Sequence, residues 1–241
     1  MKLDYYCFTN KGGRSKNEDS IGVREYVNGA VFVVADGLGG HSSGELASAC
    51  AVDAVLDVFD EAVCAAEEKI MAAAKQANES ILVLQREKNT TMKSTLAIAA
   101  LENNRAVIAN TGDSRVYYFH NNEISLYTQD HSVAYKKYKA GEITRDMLAT
   151  DEDQSSLLRV LGNVDRYEPD IIPIENELAP GDAFVLCSDG AWEYIKDEEM
   201  LIDQHKCNDA KRWAELMLVR AMERINGDND NLSLITVMIN D

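Results

Sequence analysis

Five short acidic motifs stand at the ends of strand-like apolar runs, and they constrain this chain more than any other feature of it. Asp36-Gly37-Leu38-Gly39-Gly40 follows the run Val31-Phe32-Val33-Val34-Ala35, and Asn110-Thr111-Gly112-Asp113-Ser114-Arg115 lies between two such runs. Ser188-Asp189-Gly190 ends the run Phe184-Val185-Leu186-Cys187. Asp230-Asn231 opens the run 232–239, and Asn17-Glu18-Asp19-Ser20 opens the strand that follows Arg14. Carboxylates placed at strand ends can converge on one sheet edge although far apart in sequence. Two of them about 4 Å apart repel by roughly 4 kcal/mol at an effective dielectric near 20. Protons or divalent cations must compensate. An all-oxygen set, without His or Cys at metal-ligand spacing, suits Mg²⁺ or Mn²⁺ better than zinc. Glycine beside the aspartate lets a backbone carbonyl approach an ion closely. A single Asp-Gly is most often a turn; five such motifs in order, each against an apolar run, are not explained that way.

The apolar runs at 30–35, 96–101, 183–187 and 234–239 read as buried strands. Three runs between Met92 and Phe119 are broken only at 102–104 and 111–113, too briefly for helical crossovers, so they are expected to be antiparallel. Two helices stand between the early and middle strands. One carries a polar stripe of Glu45, Ser48, Asp53, Asp57, Asp60 and Glu61; the next has an apolar stripe of Ile70, Ala74, Ala77, Ile81 and Leu84. A further helix is expected over 209–224. Grouped strands with helices covering their faces imply a layered α+β sandwich rather than a parallel βαβ array.

The 241 residues can fill one substantial core, and three prolines with no low-complexity stretch leave no visible linker or repeat, so a single domain over 1–241 is expected. A net charge of −17, from 41 acidic and 24 basic residues, opposes binding to nucleic acid or anionic membranes. The basic stretch Lys136, Lys137, Lys139 is too small to reverse that field and reads as a solvated face. No apolar run is long enough to span a bilayer, and the first ten residues lack a secretory pattern. Five cysteines without CxxC spacing read as free, buried thiols of a cytoplasmic protein.

In combination and order, these motifs make the chain resemble the metal-dependent PP2C-type (PPM) protein serine/threonine phosphatases, and most of all their short, stand-alone bacterial members. The resemblance runs from about Arg14 to Ile239. It includes Arg14-x-x-Asn17-Glu18-Asp19, Val34-Ala35-Asp36-Gly37-Leu38-Gly39-Gly40-His41, Ser94-Thr95-Leu96, Thr111-Gly112-Asp113-Ser114-Arg115 and Asp130-His131-Ser132. It continues through Leu161-Gly162, Gly181-Asp182, Cys187-Ser188-Asp189-Gly190 and Asp230-Asn231. It implies a four-layer αββα sandwich: two antiparallel β-sheets packed face to face and flanked by helices. It implies two Mn²⁺ or Mg²⁺ ions bridged by Asp36, one also on the Gly37 carbonyl, with Asp189 and Asp230 completing the other site. Glu18 and Asp19 would hold water ligands, Asp113 with Asp189 would match a weaker third-metal site, and Arg14 would bind the substrate phosphate. Phosphorylated proteins, with a cognate Ser/Thr kinase among them, are the implied substrates of a cytoplasmic monomer.

Three features depart from that pattern. Leu38 replaces the histidine proposed as general acid in animal members, leaving protonation of the leaving group unassigned, with His41 nearby in sequence. The glycine before Arg14 is one residue out of register. Residues 133–156, matching the family's mobile flap, diverge most. Two rival readings are weaker. Gly40-His41-Ser42-Ser43-Gly44 fits the GxSxG nucleophile elbow, but an elbow turns directly after its strand, and here Asp36 to Gly39 intervene. A catalytically silent phosphoprotein-binding module would not need every metal-position carboxylate.

Overall fold

The computed structural model describes residues 2–39, 43–61 and 64–241. Strands β1 (Lys2–Asn10), β2 (Asp19–Tyr26) and β3 (Gly29–Gly39) lead into the long helices α1 (Gly44–Glu61) and α2 (Ala66–Lys88). Next come β4 (Met92–Ser94), β5 (Leu96–Glu102), β6 (Arg105–Thr111), β7 (Arg115–His120) and β8 (Glu123–Tyr127). Helix α3 (Val133–Ala140) and a 3-10 helix at Arg145–Thr150 precede β9 (Asp170–Pro173) and β10 (Ala183–Cys187). The chain closes with α4 (Asp189–Trp192), α5 (Asp197–Gln204), α6 (Ala210–Arg224) and β11 (Leu232–Asn240).

These strands form two antiparallel sheets. One runs β1-β11-β10-β7-β8; the other runs β2-β3-β5-β6-β9, with the short β4 paired to the end of β3. The expectation of three consecutive antiparallel partners between Met92 and Phe119 needs correcting. β5 pairs with β6, but β7 lies in the other sheet beside β10. The short break at 112–114 therefore carries the chain from one sheet to the other. Brevity rules out a crossover within one sheet, not a step between two.

Each sheet is apolar on both faces. Along β3, Val31, Val33 and Ala35 pack beneath α1 and α2, while Ala30, Phe32 and Val34 meet the opposite sheet. Burial on both faces is why this strand reads as a continuous apolar run instead of an alternating one. Phe32, Ile108, Tyr118, Phe184, Ile235 and Val237 fill the layer between the sheets. On the far side, Phe119, Val185 and Leu234 pack against Trp192, Trp213 and Met217 of the last helices. Three stacked apolar layers thus build the four-layer αββα sandwich.

Of the α2 stripe, Ile70, Ala74, Ala77 and Ile81 are fully buried. Asp209 caps α6, accepting a hydrogen bond from the Arg212 N–H at 2.8 Å. Within the expected polar stripe of α1, Asp53, Asp57 and Asp60 are exposed, but Ser48 is fully buried. Its hydroxyl donates to the Glu18 carbonyl, which moves it from solvent to the site wall. All five cysteines are free; Cys187 and Cys207 are buried as expected, whereas Cys64 is exposed. Among the described residues, no helix is long and apolar enough to cross a membrane.

Candidate metal centre

The acidic motifs gather at one end of the sandwich because the strands bearing them are neighbours there. Asp19 opens β2 and is the Cα partner of Asp36 near the end of β3. Directly opposed residues on an antiparallel pair share a face, so these two carboxylates are forced together. Asp189 begins α4 directly after β10, and Asp230 precedes β11, the partner of β10. Asp113 sits in the step between the two sheets. Arg14, Lys16, Glu18, Asp36, Gly37, Leu38, Ser155, Asp189 and Asp230 line one cleft of about 500 Å³. Asp19 and Asp113 lie behind its floor, both buried.

Glycine is required where backbones meet. A Cβ on Gly37 would strike backbone oxygens of Gly44 and Glu18, so β3 can run against the start of α1 only without a side chain there. The Gly37 N–H donates to the Glu18 carbonyl at 3.1 Å. Gly112 adopts φ +97° against Thr95, a left-handed turn that lets Asp113 follow β6 immediately.

Electrostatic strain is concentrated here. Burial, and then the charges of Asp189, Asp19, Asp113 and Asp230, hold the Asp36 carboxyl well above the ordinary carboxylate range. Burial, with Asp230 and Asp19 adding to it, pushes Asp189 up to about 7. Burial pushes Asp19 up to about 6, although the Ser188 hydroxyl donates to its Oδ2 at 2.8 Å. Burial, then Asp189 and Asp130, raise Asp113, and burial raises Glu18. The side-chain oxygens Asp19 Oδ1 and Asp113 Oδ1 are buried without a hydrogen-bond partner. Buried acceptors are normally satisfied; two orphans beside a raised carboxylate fit a site that takes cations.

Among the described residues, no three His, Cys, Asp or Glu side chains close into a ready-made metal-holding group. The carboxylates border a shared cleft and are partly engaged elsewhere. Arg14 Nη2 donates to Asp230 Oδ2 at 2.8 Å, Gly190 N–H to Asp189 Oδ1 at 2.7 Å, and Gln154 Nε2 to Asp189 Oδ2 at 3.4 Å. Hard oxygen donors completed by a backbone carbonyl and water match Mg²⁺ or Mn²⁺, which retain several waters. The residues present therefore fit such ions, once Asp230 exchanges its guanidinium partner for one.

Several residues without an assigned role in the sequence reading support the site. Asn231 Oδ1 accepts from the Glu18 N–H at 2.7 Å, while its Nδ2 donates to the Lys11 and Lys16 carbonyls, both at 2.8 Å. One side chain thus ties the loop of Arg14 to β11, and only its adjacency to Asp230 signals that. Thr95 Oγ1 accepts from the Asp36 N–H at 2.8 Å. Arg115 makes a buried two-pronged pair with Asp130 at 2.8 and 2.6 Å and stacks 3.6 Å from the Trp192 ring. Trp192 in turn donates to the Asp113 carbonyl at 2.9 Å, joining α4 to the step between the sheets. In Asp130-His131-Ser132, His131 Nδ1 accepts from the Gly112 N–H at 3.1 Å and Ser132 caps α3. That motif is architectural. His41, with Gly40 and Ser42 of the GxSxG match, lies outside the described residues.

The flap-like stretch has a small core of its own, in which Ala134, Tyr135 and Leu148 pack with Tyr138 and Ile143. Lys137 binds Asp151 and Asp153 at 2.9 and 2.8 Å. That brings Gln154 and Ser155 to the cleft.

A sandwich of two antiparallel sheets with an acidic cleft at the ends of their central strands defines a class that the comparisons make specific. The sequence profile of the protein phosphatase 2C family matches residues 11–224. The serine/threonine phosphatase stp of Listeria welshimeri is 32% identical over 234 residues, covering 93% of this chain and 90% of the relative. The crystal structure of the Mycobacterium tuberculosis serine/threonine phosphatase PstP/Ppp superposes with a TM-score of 0.84 at 27% identity, covering 99% of each chain. The catalytic domain of PstP in complex with two manganese ions gives a TM-score of 0.82 at 26% identity, again covering 99% of each. The chain belongs to the protein phosphatase 2C family. It is an enzyme, a PP2C-type protein serine/threonine phosphatase.

Proposed function

We propose that this enzyme is a single phosphatase domain over 1–241 that hydrolyses phosphoserine and phosphothreonine monoesters at a dinuclear Mn²⁺ or Mg²⁺ centre. The observation that carries this reading is the convergence of Asp36, Asp189 and Asp230 with Arg14 on one cleft. Asp36 with the Gly37 carbonyl would hold the ions jointly, Asp189 and Asp230 would complete one of them, and Glu18 and Asp19 would orient water ligands. Asp113 with Asp189 would hold a weaker third ion. Bound cations would lower the pKa of an attacking water and neutralise charge on the phosphoryl oxygens. The manganese-bound structure of PstP supports the choice of ion.

The chain's own residues position the ester. Arg14, with its side chain more than half exposed at the cleft mouth, can present a planar fork to two phosphoryl oxygens. Among the described residues, the carboxyl groups that line the cleft could carry the proton that the leaving alkoxide takes. Phosphoryl transfer needs chiefly positioning and charge stabilisation, and a floor of carboxylates carrying cations supplies both. The same reading places a monomer in the cytoplasm, acting on phosphorylated proteins that include a cognate Ser/Thr kinase. The name of the Listeria relative, a serine/threonine phosphatase, supports phosphoserine and phosphothreonine as the groups acted on.

The test is hydrolysis of p-nitrophenyl phosphate and a phosphothreonine peptide with Mn²⁺, then with EDTA. Turnover that vanishes in EDTA and returns with Mn²⁺ or Mg²⁺ is expected; full turnover by metal-free protein would end this mechanism.

A further inference from the structure

One wall of the cleft is the stretch Arg14, Ser15 and Lys16; Leu38, Gly39 and the carboxylates also line it. The backbone of this wall is fixed. Asn231 holds the Lys16 carbonyl at 2.8 Å, and the Gly13 N–H donates to the Asn229 carbonyl at 3.1 Å. Lys16 is therefore anchored at its Cα while its side chain remains half exposed. Its only ionic partner among the described residues is Glu45 in the first turn of α1, at 3.2 Å. Ion pairs between exposed groups contribute little and exchange readily. Arg14 pairs with Asp230 of the cleft, whereas Lys16 pairs with Glu45 of α1, so the two cations are held toward different neighbours. Lys93, the cross-strand neighbour of Leu38, is exposed and without an ion pair among the described residues.

A chain of net charge −17 repels acidic polypeptides at long range. A cleft that admits them needs local cations at its mouth, and among the described residues Arg14 and Lys16 are the cations lining this one. We propose that Lys16 is a specificity-determining residue that binds an acidic side chain flanking the phosphorylated residue of a protein substrate, exchanging Glu45 for the substrate carboxylate. The inference rests on the phosphatase reading of the cleft. Lys16 acts on the peptide around the ester, while the phosphoryl group itself is bound by Arg14.

The experiment uses the full chain with Mn²⁺ and two phosphothreonine peptides identical except for Glu or Gln at the flanking positions. In wild type, kcat/KM for the Glu peptide is expected to exceed that for the Gln peptide by about fivefold, the scale of one partly exposed ion pair. Lys16→Ala brings that ratio close to one, and Lys16→Glu inverts it. Equal ratios in wild type and Lys16→Ala overturn the proposal. So does an equal loss on both peptides, which would place Lys16 on the phosphoryl group. If wild type hydrolyses neither peptide, the phosphatase reading itself falls, and the specificity role falls with it.

Discussion

At Asp36 one partly buried carboxyl on the cleft floor feels four others, so its ionised form is held in place only at a cost. Replacing it with the isosteric Asn removes the charge and leaves the shape. Asp36→Asn is expected to lower kcat by at least about a hundredfold, the scale of losing a charged group that stabilises the transition state. The same substitution relieves repulsion, so the metal-free variant should melt no lower than metal-free wild type. Kinetics and thermal melting in EDTA, read side by side, check both halves; near-wild-type turnover would remove Asp36 from the centre. The pairing of opposite effects matters, because a variant that merely misfolded would lose both activity and stability. The residue identities were readable from the motifs. The Asn231 clamp and the bond from Trp192 to the Asp113 carbonyl were not, because each joins positions more than 75 residues apart.

Among the elements, those with a strong period were legible. Residues 183–187 coincide with β10, and the helix expected over 209–224 is α6 preceded by its cap Asp209. Asp209→Ala leaves the Arg212 N–H without its acceptor and should cost about 1 kcal/mol. Urea unfolding checks this, with an unchanged m-value expected; a loss below about 0.3 kcal/mol would mean that packing of Trp213 alone fixes the helix start. The partnership of β7 was misread because local spacing limits which connections are possible without choosing a sheet. Ser48 was misread for a related reason. Its helix face is polar by composition, but the Glu18 carbonyl that its hydroxyl meets arrives from the loop just before β2.

For the whole molecule, the carboxylate cluster sets a pH dependence of definite sign. Asp19 and Asp189 have folded-state values raised to about 6 and about 7 from an ordinary 3.8. A raised group contributes stability that is fully present below its unfolded value and is lost as pH rises through the folded one. The metal-free protein should therefore lose this contribution between about pH 4 and pH 7. Buried His131, lowered by desolvation, works the other way below its usual value of 6.5. Glu199, held down at about 2 by Arg224, loses its contribution only as pH falls below about 4.5. The clean readout is the difference in melting temperature between wild type and Asp189→Asn in EDTA. Wild type should fall behind as pH rises from 5 to 8. Saturating Mn²⁺, bound by the native state alone, should reverse the order by mass action. A difference that does not change with pH would show that Asp189 is ionised throughout.

The sequence by itself determined the strands and helices of strong apolar period and pointed to the carboxylates that the fold gathers at one cleft. Those depend on apolar period and on motifs a few residues long. It also pointed to the family, since so many of its motifs recur in one order over nearly the whole chain, and the family profile matches residues 11–224. Only the tertiary structure decided that β6 and β7 part into different sheets, that Glu18 faces the cleft while Asp19 and Asp113 lie behind it, and that Arg14 rests on Asp230. These outcomes are set by which strands become neighbours and by the low-dielectric space between them. No local stretch of sequence contains either.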